Sequence, residues 1–392
     1  MTARRTLRRS HRKGARRAPG GRLPVGVRAA LAGLAALASL GTVSCTGAGE
    51  PRAASPTTAS PSTASPGGAA AASGPATTAT GSTASGSTAR TGAEPFDPYA
   101  GARPAVTATG ARREGTLVTP DGRTRTYRTY VPASRASAAP LPLLVALHGG
   151  FGTGAQFELS SRFDALAEAN GYVVVYPDGV GSRLAPDLVQ TWNGGGCCGP
   201  AVSQQVDDVT FVRLLIDQVA RDTGADTTKV VVAGHSNGAI LAHRLSCELA
   251  DRLMAIGVQA GGLEVASCTP VRPVSVLHLH GLADTNVPFA GGVGSGAAGV
   301  AFRPVRETMD AHVRADGCAT TPVVQAAADP AVVATTWGSC TAGAVVRLVT
   351  VEDASHAWMG SDRGTSGLAG TPSTRLDASR AIIAFFQRVL GR

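Results

Sequence analysis

Three residues, in a fixed order along the chain, carry the most specific chemical signal in these 392 residues. Ser236 is the centre of Gly234-His235-Ser236-Asn237-Gly238, between the apolar run "VVVA" and a helix-like pattern beginning at Ala239. With 49 Gly in the chain, a Gly-x-Ser-x-Gly pentapeptide arises by chance about 0.4 times, so its context must decide. That context is a strand, a sharp turn and a helix. Small residues two before and two after the serine let the backbone close up. The turn lifts Oγ over the strand end and aims the helix N–H groups at a developing oxyanion. Asp284, just past "VLHLHGLAD", and His356, just past "AVVRLVTVEDAS", complete the order Ser, Asp, His expected of such a site. His356 would take the Ser236 proton, and Asp284 would orient the imidazole and stabilise its cation.

The competing residues fit less well. His243 and His312 lie within helical patterns, His148 ends an earlier strand, and His278 and His280 read as hydrogen-bonded core histidines. Asp316 and Asp353 are the alternative acids. The oxyanion hole needs a second backbone donor beside the N–H of Asn237. "LHGGFGTGAQF" supplies it through Gly150 or Phe151, since Gly149 and Gly150 allow close backbone approach. Phe151, Trp192 and Trp358 fall on loops expected to meet beside Ser236. Trp192 and Trp358 are the candidate acyl-binding aromatics, with simple packing as the alternative.

The elements that must hold these residues are legible from "GTLVTPDGRTRTYRTYVPA" onward. An antiparallel hairpin turning at Pro120-Asp121-Gly122 precedes buried-strand runs that alternate with helical patterns near 160–170, 207–223, 237–250, 303–316 and 373–390. This is one α/β domain with a mostly parallel sheet and helices on both faces, and ligands belong at the carboxyl ends of its strands. Asp207 and Asp208 read as a helix cap and dipole match rather than metal ligands.

The chain before that domain has a different texture. The first 28 residues hold ten Arg or Lys and no acid, so the net +9 leaves −1 for the remainder and carries no implication of a nucleic-acid partner. "AALAGLAALASLGTVSC" is too short for an ordinary spanning helix and reads with the basic stretch as an export signal over residues 1–45. A retained signal anchor is the alternative, and the export route stays open. Cys45 is where a lipoprotein signal would place its lipidated cysteine, although Thr42 occupies the usual Leu position. Removing Cys45 from seven cysteines leaves six, an even set suited to disulfides in an oxidising compartment. Residues 46–108 are almost entirely small or polar and are expected to be a disordered linker, with the catalytic domain over 109–392.

Cys318 and Cys340 flank a 21-residue insert and are expected to pair. Adjacent Cys197 and Cys198 would then each take one of Cys247 and Cys268. A zinc site competes, but the spacing is not that of a zinc knuckle.

"HGG", "FDALAEANGYVVVYPDG", "TWNGGGCCG", "DDVTFV", "GHSNGAILAHRLSCELADR", "HGLADTNVPFAGG" and "SHAWMG", in this order over about residues 113–390, resemble the secreted polyhydroxybutyrate depolymerase/feruloyl esterase group, including LpqC-type lipoproteins. The resemblance implies an α/β-hydrolase fold with a mostly parallel eight-stranded sheet. It also implies the triad Ser236, Asp284 and His356, a serine esterase activity without a cofactor or metal, and an extracellular or lipid-anchored protein. "AWMG" stands where the group often has "TWPG". No polymer-binding module is recognisable, which tells against crystalline polyester as substrate. A small-molecule or polymeric ester, no nucleic acid, a membrane only through a lipid anchor and a monomeric state are the expectations for partners. The alternatives are a non-catalytic wall- or carbohydrate-binding lipoprotein on the same frame and a serine peptidase.

Overall fold

The computed structural model describes residues 95–133, 139–363 and 369–392. The expected export signal, Cys45 and the linker up to residue 94 lie outside the described residues. Within them run twelve strands: β1 (Ala111–Val118), β2 (Thr124–Val131), β3 (Pro142–Leu147), β4 (Val173–Pro177), β5 (Asp226–His235), β6 (Ala255–Gln259), β7 (Ser275–Gly281), β8 (Gly292–Val293), β9 (Ala301–Phe302), β10 (Val323–Ala326), β11 (Val332–Trp337) and β12 (Val346–Val351). The helices are α1 (Gly154–Ser161), α2 (Phe163–Asn170), α3 (Gly199–Ser203), α4 (Asp208–Thr223), α5 (Asn237–Glu248), α6 (Val305–Ala315) and α7 (Ala378–Val389).

Ten strands form one sheet in the order β1-β2-β4-β3-β5-β6-β7-β12-β11-β10. From β4 to β12 every pairing is parallel. The β1–β2 hairpin at one edge and β11–β10 at the other pair antiparallel. Because β3, β4, β6 and β7 are covered on both faces, every residue in them is buried, and their apolar or small runs are interrupted only by Tyr176, Gln259, His278 and His280. Two clusters fill the two faces. One packs α4, α5 and α6 on the sheet, and the other packs α1, α2 and α7 on the opposite side. Strand order, crossovers and two-sided helical cover make this an α/β-hydrolase fold.

Two expectations are corrected. The sheet has ten strands rather than eight, because the insert between Cys318 and Cys340 is not a loop. "PVVQAAADPAVVATTW" carries β-branched runs on either side of an Asp329-Pro330 turn, so it folds back as β10 and β11 and extends the edge. The ordered domain also begins before residue 109. "EPFDPYA" holds Phe96 and Tyr99, aromatic side chains of a kind absent from residues 46–94. Phe96 N–H donates to the Ala326 carbonyl, Asp377 N–H donates to Tyr99 Oη, and both rings pack on the α7-side core.

Candidate active site

Ser236 joins β5 directly to α5 with φ 53° and ψ −120°, a conformation that residues bearing a Cβ rarely adopt. Its surroundings leave it no alternative. A Cβ at Gly234 would fall on the Gly238 carbonyl, one at Gly238 on the Leu147 carbonyl, and one at Gly261 on the Ser236 carbonyl. The glycines therefore mark where three backbone segments touch, and the strained serine is held between them. Its N–H donates to the Gln259 carbonyl at 2.9 Å, and its own carbonyl starts α5 by accepting from Ile240 N–H.

Asp284 and His356 arrive from the loops after β7 and β12. A Cβ at Gly281 would strike the Ala354 carbonyl, so glycine at the end of β7 lets the two loops meet. His356 Nε2 lies 2.8 Å from Ser236 Oγ, and Nδ1 lies 2.8 Å from Asp284 Oδ2. A carboxylate on Nδ1 fixes the proton there and leaves Nε2 as the acceptor facing the hydroxyl. Asp284 Oδ1 accepts from the N–H groups of Asn286 (2.9 Å) and Val287 (3.0 Å). Burial by itself would raise this carboxyl, but the His356 hydrogen bond and charge, the Val287 N–H and His280 together hold it below the usual range.

Two residues that the sequence does not distinguish hold the His356 loop. Gln259, at the end of β6, donates from Nε2 to the Ala357 carbonyl at 2.9 Å and accepts from Met359 N–H at 3.0 Å. His235 donates from Nε2 to the His356 carbonyl at 2.8 Å, and burial lowers its pKa to about 3, so it stays neutral. A polar residue at the end of a buried central strand is the signal that could have singled out Gln259.

The side where the sequence places the oxyanion hole is organised by His148. Gly179 N–H donates to its Nε2 at 2.9 Å, so the ring proton sits on Nδ1 and is donated to the Gly149 carbonyl at 2.7 Å. A trans peptide points its N–H opposite to its carbonyl, so this bond sets the direction of the Gly150 N–H. Among the described residues, the N–H groups of Gly150 and Asn237 have no acceptor. Asn237 is otherwise fully engaged: Oδ1 accepts from Trp192 N–H at 2.7 Å and Nδ2 donates to the Trp192 carbonyl at 3.0 Å. Phe151, the other expected donor, is corrected: its N–H is bound to the Gln190 carbonyl at 2.8 Å, and its ring is exposed.

The expected aromatic acyl pocket is also corrected. Trp192 (0 % exposed) donates from Nε1 to the His148 carbonyl and packs between the His148 ring and Arg125. Trp358 (1 % exposed) donates to Ser379 Oγ and packs edge-on against Phe157, Phe163 and His235. Neither ring has surface to offer an acyl group, because each is wedged behind the loop it belongs to. The 192–199 loop is held further by Asp208, which accepts from Asn193 N–H at 2.8 Å and forms a buried ion pair with Arg125 at 2.9 Å. The alternative acids stand away from the triad: Asp353 pairs with Arg375 on the surface, and Asp316 accepts from Val274 N–H before the start of β7.

The cysteine pairs are Cys318–Cys340, Cys247–Cys268 and Cys197–Cys198. The exchange expected among the last four does not occur. The end of α5 and the loop after β6 bring Cys247 and Cys268 to a Cα separation of 5.0 Å, which satisfies both and leaves the adjacent pair to each other.

Residues 125–285, a span holding Ser236 and Asp284, match the family model described as Esterase PHB depolymerase. Over that span the chain is similar to the PHB depolymerase-type esterases. It is similar to Feruloyl esterase B of Piromyces equi, 27% identical over 223 residues, which are 55% of this chain and 39% of that protein. It is similar as well to the Putative esterase NocK of Nocardia uniformis subsp. tsuyamanensis, 29% identical over 61% of this chain and 72% of that protein. The chain thus spans well under half the length of the Piromyces relative. Among solved structures, an acetyl xylan esterase from Aspergillus awamori aligns over 63% of this chain and 94% of its own, at 17% identity and a TM-score of 0.47.

Proposed function

We propose that this protein is an exported serine esterase that hydrolyses carboxylic esters through an acyl-enzyme on Ser236. The observation that carries the reading is the unbroken file from Asp284 Oδ2 through His356 to Ser236 Oγ, beside two backbone N–H groups with no acceptor among the described residues. His356 Nε2 takes the Oγ proton as oxygen attacks the ester carbonyl, and Asp284 stabilises the resulting imidazolium. The carbonyl oxygen gains its charge facing the N–H groups of Asn237 and Gly150, which need no reorganisation to receive it. His356 then protonates the departing alcohol, and a water activated by the same ring releases the acid. Acetyl and hydroxycinnamoyl esters are the first substrates to test, since relatives bear the names acetylxylan esterase and feruloyl esterase. Exposed Phe151 and Leu282, each near a residue of the site, suit an apolar portion of such a substrate.

Export is supported by the three disulfides, which need an oxidising compartment, and by the signal-like residues 1–45. With the other six cysteines paired, Cys45 is the one left for a lipid. The reading is tested with a fluorophosphonate probe and chromogenic acetyl and hydroxycinnamoyl esters. Wild type should be labelled once, at Ser236, and Ser236→Ala should lose label and at least about 10³-fold in kcat. An unlabelled wild type, or a variant keeping a tenth of the activity, overturns it.

A further inference from the structure

Four buried histidines outside the triad form one continuous hydrogen-bonded file across the core. His312 of α6 meets His243 of α5 (Nε2 to Nδ1, 2.9 Å), and His243 meets His278 of β7 (Nε2 to Nδ1, 3.1 Å). His278 meets His280 two residues along the same strand (Nε2 to Nδ1, 3.0 Å), and His280 Nε2 reaches the Val287 carbonyl at 2.9 Å. All four rings are buried, among side chains that are otherwise mostly apolar. Apolar residues would fill that space with no polar groups to satisfy, so the file calls for a reason.

The direction of the file follows from its last bond. A carbonyl only accepts, so His280 must carry its proton on Nε2. Burial drives every one of these rings below the ordinary histidine range, and they are neutral at neutral pH. A neutral ring with Nε2–H has a bare Nδ1, which requires His278 to donate from its own Nε2. The same step repeats at His243 and His312. One tautomer set satisfies all four bonds, and its donor end points into the loop that bears Asp284. There Val287 is gripped from both sides: its N–H holds Asp284 Oδ1 and its carbonyl is held by His280. His280 Nε2 also lies 3.8 Å from Asp284 Oδ2, close enough for the ring to bear on the carboxylate electrostatically.

We propose that His280 is a positioning residue for the Asp284 carboxylate, and that His278, His243 and His312 lock it in the only tautomer able to do this. The proposal rests on the esterase reading above. It separates function from packing because an N–H donor at this point, not the volume of a ring, is what the Val287 loop requires. Without it, the Val287 N–H loses its support and Asn286 N–H is left to hold Asp284 Oδ1, so the carboxylate that orients His356 is less firmly placed, while substrate binding is untouched.

The test compares the full-length His280→Leu, His280→Gln and Asp284→Asn variants on one ester, together with a two-bond ¹H–¹⁵N histidine spectrum of the wild-type protein. His280→Leu should lower kcat by about 10- to 100-fold with KM within about twofold, the scale of a misplaced catalytic group. His280→Gln, whose amide keeps a donor for the Val287 carbonyl, should recover most of that loss. The spectrum should show all four rings as Nε2–H tautomers, a readout that needs neither activity nor a folded variant. The proposal is overturned if any of the four rings is Nδ1–H or cationic at neutral pH. It also fails if folded His280→Leu keeps wild-type kcat, or if Gln and Leu are equally impaired. Should Asp284→Asn itself stay active, the triad reading is what fails; should it be inactive beside an unimpaired His280→Leu, only the positioning role falls.

Discussion

Asn237→Ala is expected to damage stability more than chemistry, and the structure says by how much. The side chain is 3 % exposed and makes two bonds to Trp192. On truncation the Trp192 carbonyl keeps its second donor, Cys198 N–H at 3.2 Å, but Trp192 N–H is left buried without an acceptor. An orphaned buried donor costs about 1–3 kcal/mol and the second lost bond about 1 kcal/mol, so the total is about 2–4 kcal/mol. For a domain of this size that lowers Tm by about 3–7 °C. The backbone N–H assigned to the oxyanion remains, so kcat should fall by about tenfold at most, short of the 10²-fold or greater loss from deleting a donor. Asn237→Asp reverses the emphasis. It restores an acceptor for Trp192 but places a carboxylate on the residue whose N–H is proposed to receive the oxyanion. At an effective dielectric of about 20, two charges a side-chain length apart repel by about 2–4 kcal/mol, roughly 30- to 10³-fold in rate. Urea unfolding and kcat on a single chromogenic ester measure both quantities. An alanine variant as stable as wild type, or an aspartate variant at least as active as the alanine one, would refute the reasoning.

Asp316 is raised by burial from 3.8 to about 7, so the folded state binds this proton more tightly than the unfolded state. Its stabilising contribution is therefore full below pH 3.8 and lost as pH rises to about 7; Asp316→Asn should flatten that dependence and unfold about 2–4 kcal/mol later than wild type in urea at pH 8. Gly261→Ala would set a Cβ on the Ser236 carbonyl and should cut kcat by about 10²-fold in whatever folded protein is recovered; unchanged kinetics would show the elbow to be looser than it looks. Replacing Cys318 and Cys340 together by Ala opens a bridge of sequence separation 22 and should cost about 3 kcal/mol of stability. Its kcat should be unaffected, because Cys318 follows Asp316, which binds Val274 at the end of β7 opposite Asp284.

What the sequence reveals depends on how far apart the interacting residues are. Ser236, Asp284 and His356 stand out because each follows a buried strand within a few residues, and a parallel sheet gathers strand ends at one rim. The alternation of strands and helices is likewise local and legible. Trp192 and Trp358 admit two readings in the sequence for the opposite reason. Whether an indole lies in a cleft or behind it depends on His148 and Arg125 for one, and on Phe157 and Ser379 for the other, all distant in the chain. The cysteine exchange fails similarly, since the approach of Cys247 to Cys268 is set by how α5 ends against the loop after β6. Of the histidine file, only His278 and His280 are related in sequence, by the strand period that puts both on one face. Their continuation through His243 and His312 exists only once two helices have docked.

The same distinction explains how seven histidines can occupy one domain with a single general base assigned among them. Each of the others is held by a group that decides its proton for it. Gly179 N–H does so for His148, the His356 carbonyl for His235, and the Val287 carbonyl, relayed ring to ring, for the file of four. Burial keeps these six rings neutral, so they act as oriented donors and acceptors rather than as bases. His356 alone has a carboxylate on Nδ1 and a hydroxyl on Nε2, partners between which a proton can be taken up and returned. Fixing the protons of the six leaves His356, beside Ser236, as the ring to which the proposed mechanism gives a movable proton.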